Sequence, residues 1–337
     1  MKVSIIGLGR MGVRLAAAAE AAGQQVVAVL DSAEQPWGLQ QRPDLAAVVT
    51  ADAEAFWAVP TDIVVIATTA PSHVPLLLES LKRGVRRIVV EKPFATSVAE
   101  ARQGLAAAAA VGARVVVNHP RRFNPNFIAL RGLDGGPELG RLRSVRATLG
   151  GGSMGCLGVH FFDLFNWLFD AMPESVTATL TEPLGANVRG ERFCDPGGTV
   201  FLTYPGGRRA FLDIGDDLAF IGGMQFFFEL GRVAVDAEFG PWEILARKPE
   251  DRQKPFSQYG LPLERNDAVL PWQDVAMPDL WAAVLKDAAS ADTPVVGGAL
   301  GLESVQVFAA ARHAAATGTR VRFPLSEDAE AEVYPIP

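Results

Sequence analysis

The stretch "KVSIIGLGRMGVRLAAAAEAAGQQVVAVLD", residues 2–31, decides how the chain begins. A short apolar run ends at Gly7, an alanine-rich helical stretch opens there and stops near Gly23, and a second apolar run ends at Asp31. That order, strand, glycine turn, helix, strand, is the unit from which parallel sheets are wound. Neither run alternates with polar residues, as expected of strands covered on both faces.

The same rhythm continues outward. "LAAVVT", "DIVVIATT", "RRIVVEK" and "ARVVVN" predict four further strands. "APSHVPLLLESLKRG" and "SVAEARQGLAAAAAVG" predict crossover helices that end near glycine. The first 117 residues therefore read as a doubly wound, Rossmann-type α/β sheet. Beyond about residue 120 the pattern changes to one helical stretch over 157–169 and longer, more alternating runs: "SVTATLTE", "GTVFLTY", "RRAFLDIG", "MQFFFELGRVAVDAEF" and "WEILARK". These predict a mostly antiparallel sheet with one face on helices. Two late helices, "PDLWAAVLKDAAS" and "ALGLESVQVFAAARHAAATG", precede a short strand "TRVRFPL" and an acidic tail that reads as loosely tied. The division expected is 1–120 for the α/β domain and 121–337 for an α+β domain.

Composition narrows the function. With 337 residues, 49% of them hydrophobic, the chain can bury two cores of ordinary size. A net charge of −7 and arginine pairs scattered at Arg86 and Arg87, Arg121 and Arg122, and Arg208 and Arg209 argue against nucleic acid as a partner. No apolar run reaches the ~20 residues needed to cross a bilayer, and the opening run is short for a secretory signal. Cys156 and Cys194 lack CxxC spacing, so neither a disulfide framework nor a zinc site is expected, and the chain reads as cytoplasmic. No cluster has metal-ligand spacing.

"GLGRMG" places Gly7, Gly9 and Gly12, with Arg10 and Met11 between them, where a dinucleotide pyrophosphate approaches a helix start. Asp31, 19 residues after Gly12, is placed to accept from the adenosine ribose hydroxyls. Its charge opposes a 2′-phosphate and Ser32 brings no arginine, so NAD is the expected cofactor, with Arg10 leaving NADP possible. A packing turn beside a surface aspartate is the plainer alternative. The ends of the later strands collect Thr68 and Thr69, His73, Glu91 and Lys92, and Asn118 and His119, on the edge where open α/β sheets bind ligands. His73 reads equally as a helix-start residue bonded to local backbone. Lys92, followed by Pro93, is placed to lower the pKa of a substrate hydroxyl, the alternative being a salt-bridged turn. In "MGCLGVHFFD", residues 154–163, Cys156, His160 and Asp163 fall on neighbouring helix faces.

Taken in order, GLGRMG, EKP at 91–93, RRFNP at 121–125, GVHFFD at 158–163 and SVQVFAAARHAAATGTRVRFP at 304–324 resemble the Gfo/Idh/MocA family of sugar and cyclitol dehydrogenases over nearly the whole chain. The resemblance implies a nucleotide domain followed by an open sheet whose far face makes homodimers or homotetramers. It implies hydride transfer between nicotinamide and a hydroxyl or keto carbon of a sugar, nucleotide sugar or cyclitol, with Lys92 on the substrate hydroxyl and His160 exchanging the proton. The family usually carries an aspartate where Cys156 stands, and Pro120 replaces a frequent asparagine. His119, Arg121, Cys156 and Asp163 are the candidate substrate contacts. His160 reads otherwise as a core histidine, Asp163 as a structural acid, and Cys156 as a core thiol or, less simply, a nucleophile. The loops "TEPLGANVRGERFCDPGG" and "EDRQKPFSQYGLPLERND" carry arginines suited to a phosphate or carboxylate. Two other functions share the pattern: a redox-neutral enzyme that eliminates a glycosidic substituent, and a nucleotide-binding sensor without chemistry.

Overall fold

The structure, a computed structural model, describes residues 1–219, 222–237, 240–255 and 261–337. The last two residues of the run 224–239, and residues 256–260 of the loop 250–267, lie outside the described residues. The chain packs as two units. The first comprises Met1–Phe123, Ala276–Gln306 and Glu330–Pro337, and the second Asn124–Val275 and Val307–Ala329. The sequence division at 120 had no place for the two segments that return to the first unit.

In the first unit β1 (Lys2–Ile6), α1 (Arg10–Ala21), β2 (Gln25–Leu30), α2 (Trp37–Gln41), β3 (Val49–Thr50), α3 (Ala53–Trp57), β4 (Ile63–Ile66), α4 (His73–Lys82), β5 (Arg87–Val90), α5 (Val98–Ala110) and β6 (Arg114–Val117) follow one another. The six strands lie in the order β3-β2-β1-β4-β5-β6, every pairing parallel. This is the Rossmann order, in which the winding reverses beside β1 and opens a crevice at the carboxyl ends of the strands. β4 is buried at every residue, which is why it reads as an unbroken apolar run. "LAAVVT" is a correction: Pro43–Ala47 form a 3₁₀ turn and only Val49–Thr50 pair as a strand. Pro43 at the start of the turn presets its φ, and three small or branched residues do not outweigh that.

In the second unit α6 (Pro125–Gly132), β7 (Leu142–Gly150), α7 (Val159–Phe169), β8 (Ser175–Thr181), β9 (Gly197–Tyr204), β10 (Arg208–Gly215), β11 (Gly223–Phe228), β12 (Gly231–Val235), β13 (Glu243–Arg247) and β14 (Leu263–Arg265) are joined, after two intervening helices, by β15 (Val321–Arg322). Among the described residues they build a nine-stranded sheet ordered β14-β13-β12-β11-β7-β10-β9-β8-β15. Every pairing is antiparallel except β7 with β10. One face is buried, with Val145, Ala147, Leu202, Leu212, Met224, Phe226 and Val233 pointing into the core. α7 lies against β7 and β10, and its Phe161, Phe162 and Phe165 are buried, each such side chain contributing on the order of 1.5–3 kcal/mol. The central strand β7 and helix α6 were not predicted. "MQFFFELGRVAVDAEF" is two strands, because the hairpin turn falls at Glu229–Leu230 before Gly231.

The intervening helices are α8 (Met277–Ala289) and α9 (Gly298–Thr317), and α10 (Glu327–Ala331) follows β15. α8 closes the first unit: Val284, Leu285 and Ala288 join the core of Val3, Ile5, Leu15 and Val65. Gln24 Nε2 donates to the Leu285 carbonyl at 2.8 Å. The tail is not loose. Tyr334 and Ile336 are buried, Tyr334 N–H donates to Thr96 O at 2.9 Å, and Arg102 pairs with Glu330 at 2.7 Å. Among the described residues no helix is long and apolar enough to cross a membrane.

Candidate active site

The glycine turn is built from contacts that leave one side open. Gly7 adopts φ +94°, in the left-handed region, and a Cβ there would lie 2.9 Å from Ala67 O. A Cβ on Gly12 would lie 2.0 Å from Gly7 O, so helix and strand meet at a distance only glycine permits. At Gly9 a Cβ would meet nothing within 4 Å. Gly9 is also the N-cap of α1, which has no side-chain cap, so the N–H groups of the first helical turn face an open cradle suited to a pyrophosphate. Arg10 is exposed at this turn, and Met11 packs against the core below it.

Asp31 ends β2 and turns back on that loop. Its Oδ2 accepts from Leu8 N–H at 2.7 Å and its Oδ1 from Ala33 N–H at 3.0 Å. Each oxygen keeps a second lone pair for a ribose hydroxyl. Asp31 therefore holds the loop in shape as well as standing where the ribose is expected. The residues present fit an NAD cofactor.

Along the same edge, Thr68 follows β4, where its Oγ1 accepts from Ser72 Oγ at 2.7 Å and its methyl packs against Gly7. Thr69 accepts from the same hydroxyl through its carbonyl at 2.8 Å. His73 is 1% exposed, with Nδ1 2.7 Å from Pro93 O and Nε2 3.2 Å from Thr68 O. Both ring nitrogens face main-chain carbonyls. The backbone-bonding alternative for His73 thus describes what its nitrogens do, and the residue fastens the end of β4 to the Lys92–Pro93 turn, whose peptide bond is cis. Glu91 is buried, and its Oε2 accepts from Lys92 N–H at 3.3 Å while Oε1 accepts from Asn118 Nδ2 at 2.5 Å. Lys92 is half-buried at the end of β5. Asn118, His119 and Arg121 are all buried beyond the end of β6.

The second unit carries Cys156, His160 and Asp163. The helix containing them starts with a π turn, Met154–Gly158, in which Gly158 N–H reaches back to Ser153 O at 3.1 Å. Such turns are rare and are frequently found at functional sites. His160 lies in the first turn of α7 and is 8% exposed; Asp163, one turn on, is buried, and Cys156 is half-buried.

Asp195 was not foreseen. This buried carboxylate accepts from Ser153 Oγ at 2.6 Å, Gly155 N–H at 2.7 Å and Cys156 N–H at 2.7 Å. Three donors around one negative charge at a helix start satisfy orphan amides and favour the helix dipole. Asp195 lies 39 residues from Cys156 in sequence, and its only signal was an acid in "FCDPGG" before a strand. Cys156 and Cys194 are not joined in a disulfide. Among the described residues no group of three or more His, Cys, Asp or Glu is placed to hold a metal ion.

Two family models match the chain: the oxidoreductase family NAD-binding Rossmann fold over residues 1–119, and the GFO/IDH/MocA C-terminal domain over 127–232. Inositol 2-dehydrogenase from Rhizobium meliloti is 29% identical over 200 residues, 53% of this chain and 58% of the relative. D-apiose dehydrogenase from Paraburkholderia graminis is 29% identical over 215 residues, 57% of this chain and 54% of the relative. The matches thus span little more than half of either relative. An oxidoreductase from Agrobacterium radiobacter, solved with NAD+, L-tartaric acid and magnesium, superposes with a TM-score of 0.74 at 19% identity, covering 96% of this chain and 98% of that one. The chain belongs to the Gfo/Idh/MocA oxidoreductase family, with an NAD-binding Rossmann domain at its start.

Proposed function

We propose that the protein is an NAD(P)-dependent oxidoreductase that moves a hydride between nicotinamide and a hydroxyl or keto carbon of a sugar, nucleotide sugar or cyclitol. The observation that carries this reading is the shared edge of the first sheet. Gly9 presents an open cradle there, and Lys92 ends β5, two strands from β1 in the sheet order, about 10 Å along the edge. When bound, NAD supplies the hydride acceptor. Lys92 brings a cation to the substrate hydroxyl and lowers its pKa, and His160 takes or returns the hydroxyl proton. Asp31 takes the adenosine ribose and favours NAD over NADP, because its charge repels a 2′-phosphate.

The curated relatives named for inositol and D-apiose point to a polyol or sugar as substrate. The outer face of the nine-stranded sheet supports assembly of a homodimer or homotetramer: Phe201, Phe211 and Arg146 stand side by side across three paired strands without being fully buried. Two cysteines outside any disulfide fit a reducing compartment such as the cytoplasm. The test is a panel of polyols, aldoses and nucleotide sugars, assayed for NAD+ and NADP+ reduction, with native mass spectrometry of the purified protein. Reduction of NAD+ by a member of the panel is expected. A panel without turnover, on protein that binds no dinucleotide, would overturn the proposal.

A further inference from the structure

We infer that the side-chain carbonyl of Asn118 receives the carboxamide amine of the nicotinamide ring, and that Glu91 dictates this by fixing which end of the Asn118 amide is left for a ligand. The inference rests on the cofactor reading above and goes beyond it to one atom. Asn118 is 1% exposed at the end of β6, and its Nδ2 donates to Glu91 Oε1 at 2.5 Å. That bond turns the amide nitrogen toward Glu91. The oxygen is left at the other end. Asn118 Oδ1 is buried and has no hydrogen-bond partner among the described residues.

A buried carbonyl without a donor is disfavoured, and rotation of the amide, which would ordinarily relieve it, is blocked here by the bond to Glu91. The group that completes the site must therefore bring an N–H or O–H, and an acceptor would be rejected. Position then selects the donor. With Asp31 at the end of β2 and the glycine cradle at β1, β4, β5 and β6 lie on the other side of the cradle, and the nicotinamide half of a bound cofactor would extend toward them. Three strand steps of about 4.8 Å put Asn118 about 14 Å from the cradle. The ring carboxamide is the group on that half that carries an N–H2, and Lys92 stands two residues past β5, the strand that pairs with β6.

The test compares three ligands by calorimetric titration of the purified full chain: ADP-ribose, NAD+, and 3-acetylpyridine adenine dinucleotide, in which a methyl replaces the carboxamide amine. It is run on the native protein, Asn118→Ala, and Asn118→Ser, whose hydroxyl can still donate to Glu91 and keeps the buried acid paired. In the native protein NAD+ is expected to bind about tenfold more tightly than the acetylpyridine compound, the size of one buried hydrogen bond. In both variants that ratio falls to near one while ADP-ribose affinity stays within about twofold. A ratio near one in the native protein, or an unchanged ratio in the variants, overturns the assignment to Asn118 and leaves the cofactor reading standing. Failure of the native protein to bind either ADP-ribose or NAD+ overturns both.

Discussion

Substituting Gly9 and Gly12 separately by alanine should divide two roles that the same loop performs. Gly12→Ala builds a methyl 2.0 Å from Gly7 O and 2.9 Å from Gly7 C, both backbone atoms. A carbon cannot approach an oxygen much closer than 3 Å, so either α1 or the turn must shift by about 1 Å. Overpacking of this kind costs about 1–3 kcal/mol when side chains can yield; with backbone on both sides the loss should be about 3 kcal/mol or more. Gly9→Ala meets nothing within 4 Å, and φ −79° with ψ −163° is open to any residue. The unfolded chain loses about 0.4–1 kcal/mol of conformational freedom, and an alanine N-cap gives back a similar amount, so stability should stay within about 0.5 kcal/mol. The Gly9 methyl, however, occupies the open side of the cradle, and NADH affinity should fall at least about 100-fold, equivalent to about 2.7 kcal/mol. Thermal melting of the protein alone and calorimetric titration with NADH separate the two effects. Native NADH affinity in Gly9→Ala, or a native melting temperature in Gly12→Ala, would refute this account of the turn.

Once the substrate panel supplies a reaction, Lys92→Ala and His160→Ala should each lower kcat by about 10²–10⁴ while the Kd for NADH stays within about threefold, as measured by steady-state kinetics and fluorescence titration. Asp195→Ala leaves a hydroxyl and two amides of the helix start without their acceptor; urea unfolding should show a loss of about 3 kcal/mol, with Asp195→Asn recovering part of it. Asp31→Ala should weaken NADH and narrow its preference over NADPH by about tenfold or more in parallel titrations. Hydrogen bonds from Arg42, Arg83 and Arg265 hold Asp44, Glu54 and Asp267 below their ordinary carboxylate values of 3.8 and 4.5. Their contribution is complete above those values and lost as pH falls through the lowered ones; urea midpoints should be flat from pH 8 to about 5 and decline below about 4.5. Since all three carboxylates are exposed, the acid-side slope should be shallow and shrink further in 0.5 M salt.

The parts of this molecule that could be read from its sequence are those governed by local physics. The turn at Gly7 to Gly12 needs glycine for reasons confined to a few residues, and β1, β2, β4, β5 and β6 carry mostly apolar runs. Where local and distant forces compete, the reading failed. β7 holds Arg143 and Arg146, and two charges in nine residues hid the strand at the centre of the second unit. α6 begins with Asn124 capping Asn126 N–H at 2.9 Å and with Pro125 at its first position. Both are helix-start signals that the asparagine and proline in "RRFNPNF" also let pass for a loop. The return of α8 and the tail to the first unit depends on which apolar surfaces were still open, which no window of sequence contains. Asp195 belongs to the same class: nothing in "FCDPGG" names a turn some 40 residues earlier.

A crystal structure of the NADH complex tests the central claim most directly. The pyrophosphate should lie over Gly9 and the helix start, with the nicotinamide ring at the ends of β5 and β6 and its hydride-bearing face within reach of Lys92 Nζ. A dinucleotide bound away from the glycine turn, or a nicotinamide ring remote from Lys92, would contradict it.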